Sequence, residues 1–141
     1  MINDDLKLKG KLAIALNGKT VQEVDNLVVT DGKEYVASRM KDTSATAMSN
    51  MAIGSGTTAA AASQSALVSE LGRVSLPSTT VSGAVVTYVA TFGAGTGTGA
   101  VTEAAILNAN SSGDMLCRTV FSVVNKGSAD SMTITWTVTV S

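Results

Sequence analysis

The sequence predicts a mainly β fold: an antiparallel β-sandwich or jelly-roll-like domain with one or two short helices. Apolar and polar residues alternate with a period of two in several segments, and Gly-rich turns separate these segments. Strands spaced in this way are typical of sandwiches and jelly rolls. The chain has 141 residues, enough for one domain that buries roughly two thirds of its unfolded surface without metals or disulfides.

We divide the chain into a charged N-terminal strand arm or hairpin at residues 1–26 and a β-sandwich body at residues 27–141, within a single compact domain. Asn17-Gly18 is a favoured hairpin turn, so it predicts a strand on either side. Leucine and isoleucine occupy one face of the first strand and lysine the other: Leu6, Leu8, Leu12, Ile14 and Leu16 against Lys7, Lys9 and Lys11.

Two short helices are predicted between the arm and the main strands. Asp31 and Glu34 have the spacing of a capping box, which predicts a helix that opens there and runs to about Met40. The inner stripe of this helix is expected to contain Tyr35, Val36 and Met40. A second helix is predicted over residues 59–71, ended by Gly72.

The C-terminal half carries the strongest strand signals. Residues 132–140 alternate apolar side chains with threonine, and we expect them to form a hairpin with residues 115–124 through the turn residues 125–130. Further strands are predicted at residues 81–92 and at about 101–108. The first of these presents four residues on one face, namely Val86, Tyr88, Ala90 and Phe92.

Composition excludes several classes of function. Lys plus Arg number 10 and Asp plus Glu 11, so electrostatic attraction to nucleic acid or to an anionic membrane is not expected. The sequence contains no histidine, which removes the commonest general base and metal ligand. The single Cys117 is expected to be a small buried hydrophobe. We expect no catalytic residues, no metal site, no cofactor and no small-molecule substrate.

Charge is distributed unevenly along the chain. Residues 1–42 hold 7 basic and 7 acidic side chains, whereas residues 43–141 hold 3 and 4. A body this poor in charge predicts that other subunits cover part of its surface. Neither a secretory signal nor a membrane-spanning segment is expected, because no continuous apolar run is long enough.

The Gly-rich run at residues 93–100 matches the dinucleotide-binding pattern G-x-G-x-x-A at Gly95, Gly97 and Ala100. That site also needs a helix whose N-terminus holds the pyrophosphate, and the residues after Ala100 predict a strand. A loop between antiparallel strands is therefore the preferred interpretation.

A lone carboxylate, Glu103, lies within an apolar predicted strand. Such an acid can be catalytic, but no second titratable group is close to it in sequence, so we favour a structural or interface hydrogen bond. Arg118 is its natural partner if the two strands pair. A small enzyme that uses Glu103 with the loop at residues 93–99 is the less favoured alternative.

Several segments, taken together and in order, are distinctive: LVVTDGKEYVASRM at 27–40, MAIGSGTTAAAA at 51–62, ALVSELGRV at 66–74, TYVATF at 87–92, GTGTGAVTEA at 95–104 and the ending at 124–140. With these segments the chain resembles a group of small virion structural proteins of tailed bacteriophages, and the resemblance covers nearly the whole chain. Such proteins are commonly described as tail-fibre-like, so the resemblance implies a virion component more firmly than a place on the virion.

The resemblance, the charge-poor body and the lack of catalytic groups together predict a capsid decoration, or cement, protein. It is expected to be made in the host cytoplasm, to bind the outer surface of the head and to stabilise the lattice. A structural protein of the tail fibre or adsorption apparatus is the alternative. The expected partners are the major capsid protein and further copies of the chain, as a dimer or trimer. The residues predicted to bind a partner are Leu6, Lys7, Leu8, Lys9 and Lys11.

Overall fold

The computed structural model describes residues 6–41 and 46–141. These residues form nine strands and one helix: β1 (Leu8–Leu16), β2 (Lys19–Val28), α1 (Thr30–Met40), β3 (Asn50–Gly54), β4 (Glu70–Ser75), β5 (Ser78–Ser82), β6 (Val85–Phe92), β7 (Gly99–Leu107), β8 (Met115–Lys126) and β9 (Met132–Val140). The predicted mainly β class is therefore confirmed. In the described part of the chain, no helix has the length and apolarity needed to cross a membrane.

All the strands belong to one curled antiparallel sheet, in the order β4-β3-β7-β8-β2-β1-β9-β6-β5. Strand β2 joins the two halves, since most of it pairs with β1 while Leu27 and Val28 pair with β8. The curl makes the architecture sandwich-like, and jelly-roll connectivity stays a prediction. The main core lies inside the curl and draws on both halves, with Trp136, Phe92, Ile14, Ile53 and Ile106 fully buried.

The predicted N-terminal strand pair is confirmed, and it lies within the sheet. Asn17 and Gly18 both adopt positive φ angles, of 51° and 82°, as a two-residue turn requires. Strand β1 pairs with β2 on one side and with β9 on the other. Leu12 and Ile14 are consequently in the core, and β1 lies in the middle of the sheet.

The predicted C-terminal hairpin is wrong, although both of its strands exist. Strand β9 pairs with β1 and β6, whereas β8 pairs with β2 and β7. The connecting residues are held by the β1–β2 turn, because the Asn17 side chain donates to Asp130 Oδ1 at 2.9 Å and accepts from the Ser131 N–H at 2.9 Å. The alternating pattern predicts a strand but does not select the strand with which it pairs.

Helix α1 is confirmed, but its predicted capping box is wrong. Val29 occupies the N-cap position without a side-chain hydrogen bond. The Asp31 carboxylate instead accepts from the Met115 N–H at 2.8 Å, so it ties the helix to β8. Gly32 lies directly against the Leu116 carbonyl. The prediction that Met40 lies on the inner stripe is wrong, because its side chain is 80% exposed.

The predicted second helix is also wrong. Residues 59–69 form turns and bends, and Gly72 lies inside β4 instead of ending a helix. The backbone N–H groups of Val68 and Ser69 donate to the Glu103 carboxylate, and a helix would have used its own backbone for them. The predicted strand at residues 81–92 is divided into β5 and β6 at Gly83, whose φ is 58°.

Candidate functional site

Glu103 and Arg118 form an ion pair that is fully buried in the described structure. Glu103 lies on β7 and Arg118 on the neighbouring β8, with both side chains at 0% exposure. Arg118 Nη2 is 2.8 Å and Nε 3.1 Å from Glu103 Oε1. The two residues that we expected to be partners are thus brought together, on the side of the sheet away from the main core.

Residues 55–69, which we call the covering loop, pack over this ion pair. Three backbone N–H groups donate to the Glu103 carboxylate, from Gly56 at 2.8 Å, Val68 at 3.0 Å and Ser69 at 2.8 Å. A carboxylate with this many charge-assisted hydrogen bonds holds a loop firmly in place. The Glu103 side chain is therefore a main anchor of the covering loop, since it accepts from three of the loop's backbone N–H groups.

Arg118 binds the covering loop with its remaining guanidinium nitrogen. Its Nη1 atom donates to the Thr58 carbonyl at 3.0 Å and to Gln64 Oε1 at 3.0 Å. Gln64 Oε1 also accepts from the Ala61 N–H at 3.0 Å, which closes a turn inside the loop. The ion pair and the loop together form one hydrogen-bond network that lies between β7, β8 and residues 55–69.

Burial raises the pKa of Glu103, but the hydrogen bonds from Ser69, Val68, Arg118 and Gly56 outweigh it and hold the pKa below its ordinary value of 4.5. A carboxylate with a lowered pKa is a weak base, and its oxygens are already occupied by five donor groups. The geometry therefore suits a structural anchor and leaves no free lone pair facing a substrate.

The Gly-rich loop between β6 and β7 is separate from this network. Gly97 lies against the Ile53 side chain, and its backbone nitrogen would be 2.9 Å from a Cβ atom placed on Gly72 of β4. The loop therefore packs closely on β4 at Gly72. The buried Lys126 donates to the Gly93 carbonyl at 2.8 Å. The residues after the loop form strand β7, with no helix N-terminus to receive a pyrophosphate. None of the hydrogen bonds to Glu103 comes from this loop.

Two other groups with potential reactivity are buried in the core. Burial raises the pKa of the Cys117 thiol, which is 0% exposed, and burial likewise raises the pKa of Tyr88. Within residues 6–41 and 46–141, no three His, Cys, Asp or Glu side chains lie close enough together to hold a metal ion. Both groups are therefore packing residues in this structure.

A groove of about 520 Å³ lies between the start of β1, the end of β2 and helix α1. We call it the basic groove. Its lining is apolar with three lysines: Leu6, Lys7, Leu8, Lys9, Asn26, Leu27, Val28, Lys33, Val36, Ala37, Met40 and Val140. Leu6 and Met40 are 74% and 80% exposed, and Leu27 is 37% exposed. Large apolar side chains that cluster in the open mark an interaction site.

The charges of the basic groove all have one sign. Among the residues that the structure describes, the charged side chains that line it are Lys7, Lys9 and Lys33, and none is acidic. Lys9 also lines the second groove, where Glu23 and Asp25 lie. Among the ion pairs found in the described residues, none includes these three lysines. Within residues 6–41 and 46–141 the groove thus combines an apolar floor with lysines that have no ion-pair partner, which is the complement of an apolar segment that carries carboxylates.

Four of the five predicted partner-binding residues, Leu6, Lys7, Leu8 and Lys9, line this groove. Lys11 does not. It lies in a second groove of about 630 Å³ on the outer face of β1, β2 and β9. There Lys11 Nζ is 3.8 Å from the Glu23 carboxylate, and both side chains are about 60% exposed in this surface pair.

Sequence reasoning missed the half of the groove that helix α1 provides. Lys33, Val36, Ala37 and Met40 recur with helical spacing, so they share one face of the helix. That spacing is visible in the sequence, but the sequence prediction placed Met40 on the inner stripe of the helix.

Comparison of the chain with known protein families, with curated proteins and with solved structures finds no match.

Proposed function

We propose that the protein is a non-enzymatic capsid decoration protein that binds the outside of a phage head through the basic groove. The observation that carries the proposal is the meeting of Leu6, Lys7, Leu8 and Lys9 with the exposed face of α1. The resemblance to small virion structural proteins supports a phage particle as the assembly to which the groove binds. The fully bonded Glu103 supports a structural role in preference to a catalytic one.

The groove chemistry indicates what part of the major capsid protein would bind. An apolar side chain of the capsid segment fills the space between Leu27 and Met40, and flanking carboxylates pair with the lysines. Each such partly exposed pair contributes about 0–1 kcal/mol, so binding weakens as salt rises but does not vanish. Many copies on one lattice then stabilise the intact head by mass action.

The test is co-sedimentation with purified heads that lack the protein. The variant Lys7→Glu/Lys33→Glu reverses two groove charges, and Lys11→Glu/Lys19→Glu makes the same change in net charge away from the groove. We expect the groove variant to bind about tenfold or more weakly and the control to bind like the wild type. Equal binding by all three proteins would overturn the groove as the contact surface.

Location on the virion separates the proposal from its alternative. Labelled protein is expected on the head in many copies, as measured by electron microscopy and by quantitative mass spectrometry of virions. Label confined to the tail would overturn capsid decoration in favour of a tail-fibre or adsorption-apparatus subunit.

A further inference from the structure

The two edges of the sheet differ in how they are protected. At one edge, β4 carries a Glu70–Arg73 ion pair at 2.7 Å, and Gly97 of the β6–β7 loop lies close against Gly72. Arg73 also donates to the carbonyls of Ala109 and Ser112, both at 2.9 Å. Charges and a packed loop are devices that prevent a strand edge from pairing with another chain.

Strand β5, at the opposite edge, has none of these devices. All five of its residues, Ser78 to Ser82, are exposed, and none is charged. Its pairing with β6 runs without a bulge, and Val81 is 72% exposed. An uncharged, regular and exposed edge strand presents unpaired backbone groups as a template for another strand.

The sequence of β5 is nearly symmetric about Thr80. When two copies of Ser-Thr-Thr-Val-Ser run antiparallel with Thr80 at the centre, serine faces serine, threonine faces valine and Thr80 faces Thr80. Threonine and valine have nearly the same shape, so each cross-strand pair is matched in size. Such a pairing has the twofold symmetry of most homodimers.

The backbone geometry allows this register. Only Gly83 and Ala84 separate the paired residues Ser82 and Val85, so Ser82 and Val85 exchange hydrogen bonds as the residues flanking a two-residue turn do. Hydrogen-bonded pairs alternate along the ladder, which leaves the N–H and C=O groups of Thr79 and Val81 directed away from β6. In the Thr80-centred register Thr79 of one copy faces Val81 of the other. Their outward N–H and C=O groups therefore pair with each other.

We propose that the protein associates with a second copy of itself by antiparallel pairing of β5 with β5, centred on Thr80. This deepens the proposed function by naming the contact between copies, and it is independent of the basic groove at α1. Two five-residue strands make a small interface of the weak, transient class. Dimers therefore form at high protein concentration or where a lattice holds copies side by side.

The test uses the purified full chain without heads, so its failure and the failure of head binding are separate results. Sedimentation velocity is expected to show a dimer fraction that rises with protein concentration. Val81→Lys places a charge one residue from the twofold axis, opposite Thr79 of the other copy, and is expected to raise the dissociation constant at least about tenfold. Val123→Lys is the control, since Val123 is an exposed strand valine on β8.

Disulfide cross-linking tests the register. Thr80→Cys places two thiols at a pair whose Cα atoms are about 4.5 Å apart, within the range of a disulfide. Ser78→Cys lies on the same strand face, but its two copies are roughly 13 Å apart. We expect Thr80→Cys to give covalent dimers and Ser78→Cys not to, with Cys117 too buried to take part. A wild type that stays monomeric, a Val81→Lys variant that dimerises normally, or equal cross-linking of the two cysteine variants would each overturn the proposal.

Discussion

The two charged regions of this molecule differ in where their partners lie. Beneath the covering loop, Glu103 and Arg118 bind each other and residues of their own chain, and both are fully buried. In the basic groove, Lys7, Lys9 and Lys33 have no ion-pair partner among the residues that the structure describes. The charges of Glu103 and Arg118 therefore stabilise the fold. The charges of the three groove lysines are not paired within the described chain, so they can pair with another molecule.

This difference distinguishes charged groups whose partners lie in the same chain from charged groups whose partners, under the proposed function, lie in another protein. Glu103 attracts attention as a lone acid in an apolar strand, yet its hydrogen bonds end within the molecule. In the sequence, Lys7 and Lys9 are typical of the solvent-exposed face of a strand. In the structure, helix α1 places Lys33 and Met40 on the opposite side of the same groove. What matters is whether the partners of a charged group are already present in the fold.

Loss of one member of the buried ion pair is expected to have the largest effect on stability. Arg118→Met leaves the Glu103 carboxylate buried without its counterion, so the free energy of unfolding should fall by about 3–5 kcal/mol, measured by urea denaturation. Lys11→Met removes an exposed pair with Glu23 and is expected to cost less than about 1 kcal/mol. Equal costs would contradict the distinction between the two regions.

A methyl group inserted under the covering loop should have the next largest effect. A Cβ at Gly56 would lie 2.5 Å from Glu103 Oε2, so Gly56→Ala is expected to push the loop from its anchor. Overpacking of this kind lowers the free energy of unfolding by about 1–3 kcal/mol. A Cβ at Gly93 meets no atom within 4 Å, so Gly93→Ala serves as a control that should leave stability nearly unchanged.

The pH dependence of stability tests the state of the Glu103 carboxyl. Because its pKa is lowered in the folded protein, its contribution to stability is fully present above its ordinary pKa of 4.5. That contribution is lost as pH falls through the lower pKa of the folded state, with a slope of at most about 1.4 kcal/mol per pH unit. Urea denaturation of the wild type and of Glu103→Gln at a series of pH values measures it. A difference between the two proteins that stays constant as the pH falls below 4.5 would contradict the lowered pKa.

Local sequence patterns predicted the positions of the strands better than they predicted which strands pair with each other. The alternation at residues 132–140 and the Asn17-Gly18 turn each identified real strands. The pairing of β9 with β1 depends on contacts between distant parts of the chain, which periodicity does not encode. The alanine-rich segment at residues 59–62 has high helix propensity, but it lies in a loop whose backbone groups at Thr58 and Val68 are hydrogen-bonded to Arg118 and Glu103.

The candidate site was predictable only in part for the same reason. Leu6, Lys7, Leu8 and Lys9 were identified from one strand, since their alternation is a local property. The helix residues that complete the groove come from another element, and their exposure depends on which face of α1 packs on β8. Tertiary packing, more than helical periodicity, decided that Met40 lies in the open.

The smallest expected effect on stability is at the groove lysines. It tests whether these charges are unnecessary for the fold, in contrast to Glu103 and Arg118. Lys7 and Lys33 are exposed and have no ion-pair partner in the described chain, so Lys7→Gln/Lys33→Gln should change the free energy of unfolding by less than about 0.5 kcal/mol. The same variant should bind heads more weakly than the wild type and with a smaller dependence on salt, because two charges that attract the partner are gone. Urea denaturation and co-sedimentation at two salt concentrations measure the two properties on one protein. If the variant lost stability as Arg118→Met does, the lysines would belong to the fold, and the groove would have no charge left to offer a partner.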